Sequence, residues 1–257
     1  MTSSLVGSEM CIRDRGEALA DPDVASMYPS FIVNYGVSPH HLSSKVFLGI
    51  VEWLRTTRLD AKHNGRKLEA DALKIVINRI YGALNDAMDY LYDPECTYTV
   101  TINLQLLLCN LIESFELNGF DVLSANTDGL LIRRPNDRLD LFNHICKEWE
   151  DYSKLSLDTE VFEKYCRSAV NDYIAVGYGF YDALQEYNRC GVWIDSKGNT
   201  YTTRQAIEDK FIKFKGYFLQ DPEYNKGFVY PVVKKALKEY FLYGVDITAV
   251  SYTHLTL

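Results

Sequence analysis

Between Phe120 and Arg134 the chain reads FDVLSANTDGLLIRR, and this stretch limits the fold more than any other. Two short apolar runs, VLS and LLI, flank the polar turn Asn126-Thr127-Asp128-Gly129. Alternation, branched side chains and a Gly-containing turn predict a β-hairpin whose flanks want burial. The chain must therefore hold a sheet. The turn also carries a carboxylate, Asp128. An acid in a turn is ordinarily a turn former, so Asp128 alone decides nothing and needs a partner.

The rest of the chain is mostly helical in pattern. DPDVASMYPSFIVNY predicts a short strand ending near Asp23 to Ala25, then a helix with Pro29 near its start. VFLGIVEWLRTTRLDAKHNG predicts a helix closed by Asn64-Gly65. RKLEADALKIVINRIYG predicts a second helix, with Leu73, Val76, Ile77 and Ile80 as its apolar side, so that the two make a helical hairpin. A break at Asp93-Pro94 precedes an apolar helix from about Thr97 to Leu117, closed by Asn118-Gly119 and expected to be buried. After the β-hairpin come an amphipathic helix over Leu139 to Tyr152 and two strands, LSLDTEVFEKYC and NDYIAVGYGF. Residues 181–209 read as polar with a KGN turn, FIKFKGYFL as a strand, and VYPVVKKALKEYFLYG as a basic helix ended by Gly244. The class is α+β. Residues 1–15 and 250–257 fit none of this and read as foreign to the fold.

With 257 residues and 47 % apolar content, the chain can bury one large core or two smaller ones. Its formal charge of -8 argues on its face against a nucleic-acid partner. The basic residues are clustered, however. Arg55, Arg58, Lys62, Arg66, Lys67, Lys74 and Arg79 lie on the helical hairpin, and Lys210, Lys213, Lys215, Lys226, Lys234, Lys235 and Lys238 lie near the end. Six scattered cysteines without a CxxC pair predict free thiols rather than zinc ligands or disulfides, and an intracellular protein. No apolar run reaches membrane length and no signal segment opens the chain.

Asp23 and Asp128 each stand where a strand ends. If those strands are neighbours, the carboxylates converge, and a pair of like charges calls for a cation between them. Oxygen ligands without Cys or His select Mg²⁺, with Mn²⁺ as substitute. Magnesium keeps waters and completes its shell with phosphates, which predicts a polyphosphate substrate. The helical hairpin offers charge for it. Arg58 and Lys62 share one helical face, as do Lys74 and Asn78, and Tyr81 extends the latter.

Three stretches, in this order, resemble the motifs of family B DNA polymerases. DVASMYPS from Asp23 is similar to D-x-x-S-L-Y-P-S, KIVINRIYG from Lys74 to K-x-x-x-N-S-x-Y-G, and SANTDG from Ser124 to Y-x-D-T-D-S. The form most resembles the replicative enzymes of tailed bacteriophages, which would place it in the cytoplasm of an infected bacterium. The resemblance implies a right-hand polymerase with an antiparallel palm sheet, inserted helical-hairpin fingers and a partial helical thumb. Residues 16–47 and 86–180 would be palm, 48–85 fingers, and 181–249 the palm edge and start of the thumb.

By position, Asp23, the Val24 carbonyl and Asp128 would hold two Mg²⁺ ions, and Asp23, Asp128 and Lys74 would be the catalytic set. Backbone amides of Ser26 and Met27 would touch the triphosphate. Tyr28 would lie under the sugar and exclude ribonucleotides. Arg58, Lys62 and Lys74 would grip the phosphates and Asn78 would order them, with Tyr81 and Gly82 against the nascent base pair. Tyr173, Lys213, Lys215, Lys234, Lys235 and Lys238 would contact primer–template DNA, as positioning contacts without sequence readout.

Four positions depart from the motifs. Asn126 replaces the first acid of D-T-D, Gly129 the following Ser, Arg79 the Ser after Asn, and Ser124 the Tyr. Asn171 likewise replaces a lysine in a K-x-Y segment. One acid fewer predicts a weaker cation site, tested by metal titration of Asn126→Asp. No stretch before Asp21 resembles an exonuclease domain, so the chain is expected not to proofread. The reading is template-directed DNA synthesis from deoxynucleoside triphosphates. Its rivals are an RNA-making palm polymerase, a two-acid nuclease and an inactive, nucleic-acid-binding polymerase remnant. Tyr28 opposes the first, and the basic helical hairpin the second.

Overall fold

The computed structural model describes residues 10–12, 17–169, 172–216 and 231–245, with the side chains of 10–12, 168–169 and 231–234 outside the description. Of the ends expected to be foreign, residues 1–9, 13–15 and 250–257 lie outside the described residues, as do Asn171 and the Lys234 side chain, but Met10–Ile12 form a strand that pairs with Lys164–Cys166, so this part belongs to the fold. The architecture is α+β, with a seven-stranded sheet of order β3 (Asp121–Ala125), β4 (Leu130–Pro135), β2 (Glu17–Val24), β5 (Leu157–Ala169), β6 (Asp172–Gly177) and β9 (Ile212–Lys215), with β1 (Met10–Ile12) added on β5. Every pairing with a described register is antiparallel. The chain divides into two compact units, Pro22–Leu131 with Arg138–Thr159, and Met1–Asp21 with Ile132–Asp137 and Glu160–Leu257.

The first of these units is mainly helical: α1 (Met27–Tyr35), α2 (Ser44–His63), α3 (Lys67–Leu84), α4 (Pro94–Leu117) and α5 (Leu139–Ser153). It also holds the end of β2 (Glu17–Val24), all of β3 (Asp121–Ala125) and the beginning of β4 (Leu130–Pro135). The two arms α2 and α3 pack together as the expected hairpin. Their apolar side differs from expectation. In α3 Ile77 is buried, but Val76 is exposed, and the other buried residues are Ala70, Ala83 and Leu84.

Helix α4 sets the position of the β-hairpin through its two ends. At the start, Asp93 is the N-cap, its carboxylate accepting from the Cys96 N–H at 3.1 Å, and Pro94 occupies the first turn where a missing N–H costs nothing. At the finish, Gly119 adopts φ 72, the Phe120 N–H reaches back to the Phe115 carbonyl, and the Gly119 N–H to that of Glu116. This is the Schellman arrangement, which satisfies carbonyls the helix leaves open and brings an apolar residue back onto its last turn. Here that residue is Phe120, edge-on to Phe115 with centroids 5.6 Å apart, while Phe142 of α5 stacks on Phe115 at 5.1 Å. Each such buried aromatic contributes about 1.5–3 kcal/mol. The strand after Phe120 therefore leaves the core in a defined direction and carries the turn with Asp128.

Burial of α4 is one-sided. Val100, Leu104, Leu108, Leu111 and Phe115 face the core, whereas Tyr98, Ile102 and Leu106 are 63 %, 52 % and 61 % exposed, contrary to the expected buried helix. By length and composition alone this 24-residue helix could cross a membrane, contrary to the expectation that no apolar run is long enough. The hairpin strand β3 is half-buried along VLS; only Leu130, Leu131 and Ile132 of β4 are fully inside.

The second unit contains the remainder of the sheet: β1 (Met10–Ile12), β2 and β4 over Glu17–Ala20 and Ile132–Pro135, β5 (Leu157–Ala169) from Glu160, β6 (Asp172–Gly177) and β9 (Ile212–Lys215). Strand β2 starts earlier than its patternless sequence suggested, with Ala18, Leu19 and Ala20 all buried and Ala20 opposite Ile132. The stretch expected to be polar loop is structured: α6 (Phe180–Cys190), a small hairpin of β7 (Trp193–Ile194) and β8 (Thr200–Tyr201), and α7 (Arg204–Phe211). Phe180, Ala183, Leu184 and Tyr187 are spaced as one helical face and pack with Ile174, Val176, Ile207 and Leu242, the last from α8 (Pro231–Tyr243).

Candidate active site

Asp23 and Asp128 line one cleft of about 350 Å³ within the helical unit. Backbone bonding makes the meeting specific. The Val24 N–H donates to the Asp128 carbonyl at 2.7 Å, Asp23 faces Gly129 across an isolated antiparallel bridge, and the Asn126 N–H closes the turn onto the Gly129 carbonyl at 2.8 Å. Two residues far apart in sequence are thus brought together by two backbone contacts, while the third shapes the turn that carries Asp128.

The remaining walls come from α1, α2 and α3. Val24, Ser26, Met27, Tyr28 and Pro29 supply one side, and Arg58, Lys74, Ile77, Asn78 and Tyr81 the others. Ser26 sits at φ 49, ψ 50, a left-handed conformation uncommon for a residue with a side chain, and its hydroxyl accepts from Arg58 Nη1 at 2.7 Å. The Tyr28 ring stacks on Tyr81 with centroids 4.1 Å apart and planes 23° from parallel. Burial first, then Tyr81 and Asp128, push the Tyr28 phenol above its ordinary pKa, so it stays neutral at working pH.

The basic cluster of the helical hairpin sorts into two kinds. Arg55 pairs with Glu52, Arg66 with Asp60 and Glu69, and Arg79 with Asp86 and Asp89. Arg58 and Lys74 instead line the cleft. Lys62 and Gly82 are exposed and do not line it. Asn126 is also outside, its side-chain oxygen taking the Thr127 N–H at 2.7 Å as a turn former does. Ile77 and Pro29 also line the cleft, although from sequence they read only as structural residues of their helices, since apolar lining residues look like any core residue there.

In the other unit, Tyr173 stacks on Tyr165 at 4.8 Å and Lys215 Nζ stands 5.7 Å from the Tyr173 ring centroid. Lys213 pairs with Glu160. Lys235 is exposed. Lys238 is committed elsewhere: its ammonium pairs with the buried Glu208, which also binds Arg204 and Tyr243. Although burial opposes ionisation of Glu208, these partners outweigh it and hold its carboxyl below the ordinary value.

A second group of ligating atoms lies at the start of α4, where a His40 ring nitrogen, an Asp93 oxygen and Cys96 Sγ fall within 4.8 Å of one another. Its bonding is that of a helix cap. Asp93 accepts from the His40 N–H and Nδ1, both at 2.9 Å, and from the Cys96 N–H. Hydrogen bonding to Asp93, then its charge and that of Glu95, raise the His40 pKa. A raised pKa means the protonated imidazole stabilises the fold below about pH 6.5 and that this contribution fades as pH rises through the higher folded value. His40→Ala should therefore lower the melting temperature at about pH 6 by more than at about pH 9, as thermal denaturation at the two pH values would show.

No protein-family model matches the chain. Three curated proteins are similar to parts of it. DNA polymerase II of Escherichia coli (strain K12) is 26 % identical over 116 residues, 45 % of this chain and 14 % of that protein. The DNA polymerase of Thermococcus gorgonarius is 27 % identical over 168 residues, and that of Pyrococcus glycovorans 27 % over 177. These matches cover 52 % and 55 % of this chain and 22 % of each archaeal protein, so the chain spans less than a quarter of the length of these relatives. Over about half its length, then, this chain is a distant relative of DNA polymerases.

Proposed function

We propose that the chain carries the nucleotide-adding centre of a DNA polymerase, joining a deoxynucleoside triphosphate to a primer 3′-hydroxyl under template direction. The observation that carries this reading is the meeting of Asp23 and Asp128 in one cleft that Arg58 and Lys74 also line. Two carboxylates and two cations lining one cleft suit a substrate that is both metal-bound and polyanionic. A nuclease reading leaves the basic helical hairpin unexplained.

The donor set fits a hard divalent ion: two carboxylates and the adjoining Val24 carbonyl, with no Cys or His among the lining residues. Magnesium held there supplies Lewis acidity to the attacking and departing oxygens. In the transfer itself the 3′-hydroxyl loses its proton, its oxygen bonds the α-phosphorus, and the bond from that phosphorus to the β-phosphate oxygen breaks, releasing pyrophosphate. Arg58 and Lys74 bind the phosphates and neutralise charge that grows toward the leaving group. Asn78 orders the triphosphate, and the amides of Ser26 and Met27 lie at the start of α1, where backbone N–H groups favour an anion. The left-handed Ser26 turns those amides, and Arg58 ties its hydroxyl down.

Tyr28 presents its ring to the sugar, with Tyr81 behind it. Tyr28→Ala should raise ribonucleotide use roughly tenfold, the scale on which a pocket resolves one small group, and competition between the two nucleotide types in primer extension would measure it. Residues 16–47 and 86–180 then serve as palm, 48–85 as fingers, and 181–249 as palm edge and start of the thumb. Tyr173, Lys213, Lys215 and Lys235 serve primer–template contact, and Lys238 acts mainly through Glu208. Primer extension by the full chain, with and without magnesium, tests the reading. Magnesium-dependent addition supports it, and DNA binding without addition would favour the remnant.

A further inference from the structure

We infer that Thr101, on α4 and outside the cleft, is a positioning residue for sugar selection, acting through Tyr81; this rests on the polymerase reading. The Tyr81 hydroxyl lies 2.6 Å from Thr101 Oγ1. The Thr101 hydroxyl has one proton, and the Thr97 carbonyl at 2.8 Å takes it. Tyr81 must then be the donor and Thr101 the acceptor.

The consequence concerns Tyr28. Ring stacking sets the distance between two rings but permits sliding in the plane. The Tyr28 ring rests on Tyr81 at 4.1 Å. What fixes Tyr81 along that plane is its anchored hydroxyl, at the far end of the ring from its Cα. Thr101 thus closes a relay from α4 to Tyr81 and on to Tyr28. An unanchored Tyr81 would let Tyr28 recede, and the 2′ side of a bound sugar would gain room. Phosphate binding by Arg58 and Lys74 would be untouched.

The test compares Thr101→Val, Thr101→Ser and Tyr81→Phe in the full chain, measuring kcat and KM for deoxynucleotide and ribonucleotide addition to a primer–template. Valine keeps the shape and β-branching of threonine but cannot accept the bond. Thr101→Val and Tyr81→Phe should each lower discrimination against ribonucleotides by roughly three- to tenfold, the span of one hydrogen bond. In Thr101→Val most of the change should fall on the ribonucleotide KM, with deoxynucleotide kcat kept, and Thr101→Ser should keep the parent ratio. Because both changes remove one bond, the double variant should lose no more than either single one. Unchanged discrimination in an active Thr101→Val protein, or losses that multiply in the double variant, would overturn the relay alone. If Thr101→Val does not fold, Tyr81→Phe decides: discrimination unchanged from the parent overturns the relay. Absence of nucleotide addition by the unsubstituted chain would overturn the polymerase reading and the relay with it.

Discussion

Replacing Asp128 by alanine should lower nucleotide addition by about a thousandfold or more while leaving the protein folded, a loss of roughly 4 kcal/mol of transition-state stabilisation. The two expectations come from one geometry. Asp23 and Asp128 line the same cleft, where one ion could engage both. Asp128 is a cleft-lining side chain rather than a core one, so its removal should leave the melting temperature in chelator little changed. Magnesium separates the two proteins, because a ligand that binds only the folded state stabilises it. The parent should gain melting temperature on adding magnesium, and Asp128→Ala should gain far less. Asp23→Ala should behave alike, and the double variant should be little worse than either single one, as for groups that act as a unit. Primer extension with thermal denaturation in chelator and in magnesium measures all of this. Undiminished addition by the double variant would end the polymerase reading.

Much of this site was legible because it is built from local signals. Asn118-Gly119 announces the end of α4, and the Schellman contact of Phe120 with Phe115 follows from an apolar residue directly after that glycine. The turn with Asp128 follows from the hairpin, and the convergence with Asp23 from two acids at strand ends. What failed was inference from spacing to contact. Lys62 follows Arg58 by one helical turn, on the same face, yet a turn rises about 5.4 Å and carries Lys62 out of the cleft. An apolar run was equated with burial in α4, although Tyr98, Ile102 and Leu106 make an exposed stripe. The helix α6 was overlooked because its outer face is polar, though Phe180, Ala183, Leu184 and Tyr187 held the period. Lys238 was assigned by charge alone, and no local pattern disclosed that Glu208 occupies it. Thr101 had only a faint signal, a second hydroxyl four residues after Thr97 in an apolar helix.

Gly129 stands where the related motif carries serine, and restoring that serine should impair this protein rather than improve it. A Cβ at 129 would lie 3.0 Å from Asp23 Oδ1, 3.1 Å from the Pro22 carbonyl oxygen and 3.3 Å from Asp23 Cα. Rotating the Asp23 side chain relieves the first contact only. The other two are backbone, so the strand ends must part by a few tenths of an ångström. The bridge between Asp23 and Gly129 is the point at which the two acids are held together. Opening it moves one carboxylate relative to the other, and catalytic geometry is steep: a misplacement near 1 Å costs about a hundredfold. Gly129→Ser should accordingly lower kcat by roughly ten- to a hundredfold, with nucleotide KM little changed and the magnesium requirement raised. The fold should lose about 1 kcal/mol, the low end for an overpacked site. Gly129→Ala separates the causes. If the Cβ is the obstacle, alanine is as harmful as serine, whereas a harmless alanine would move the blame to the hydroxyl. Parent-like rates and metal dependence in both variants would mean that the bridge does not set the spacing of the acids.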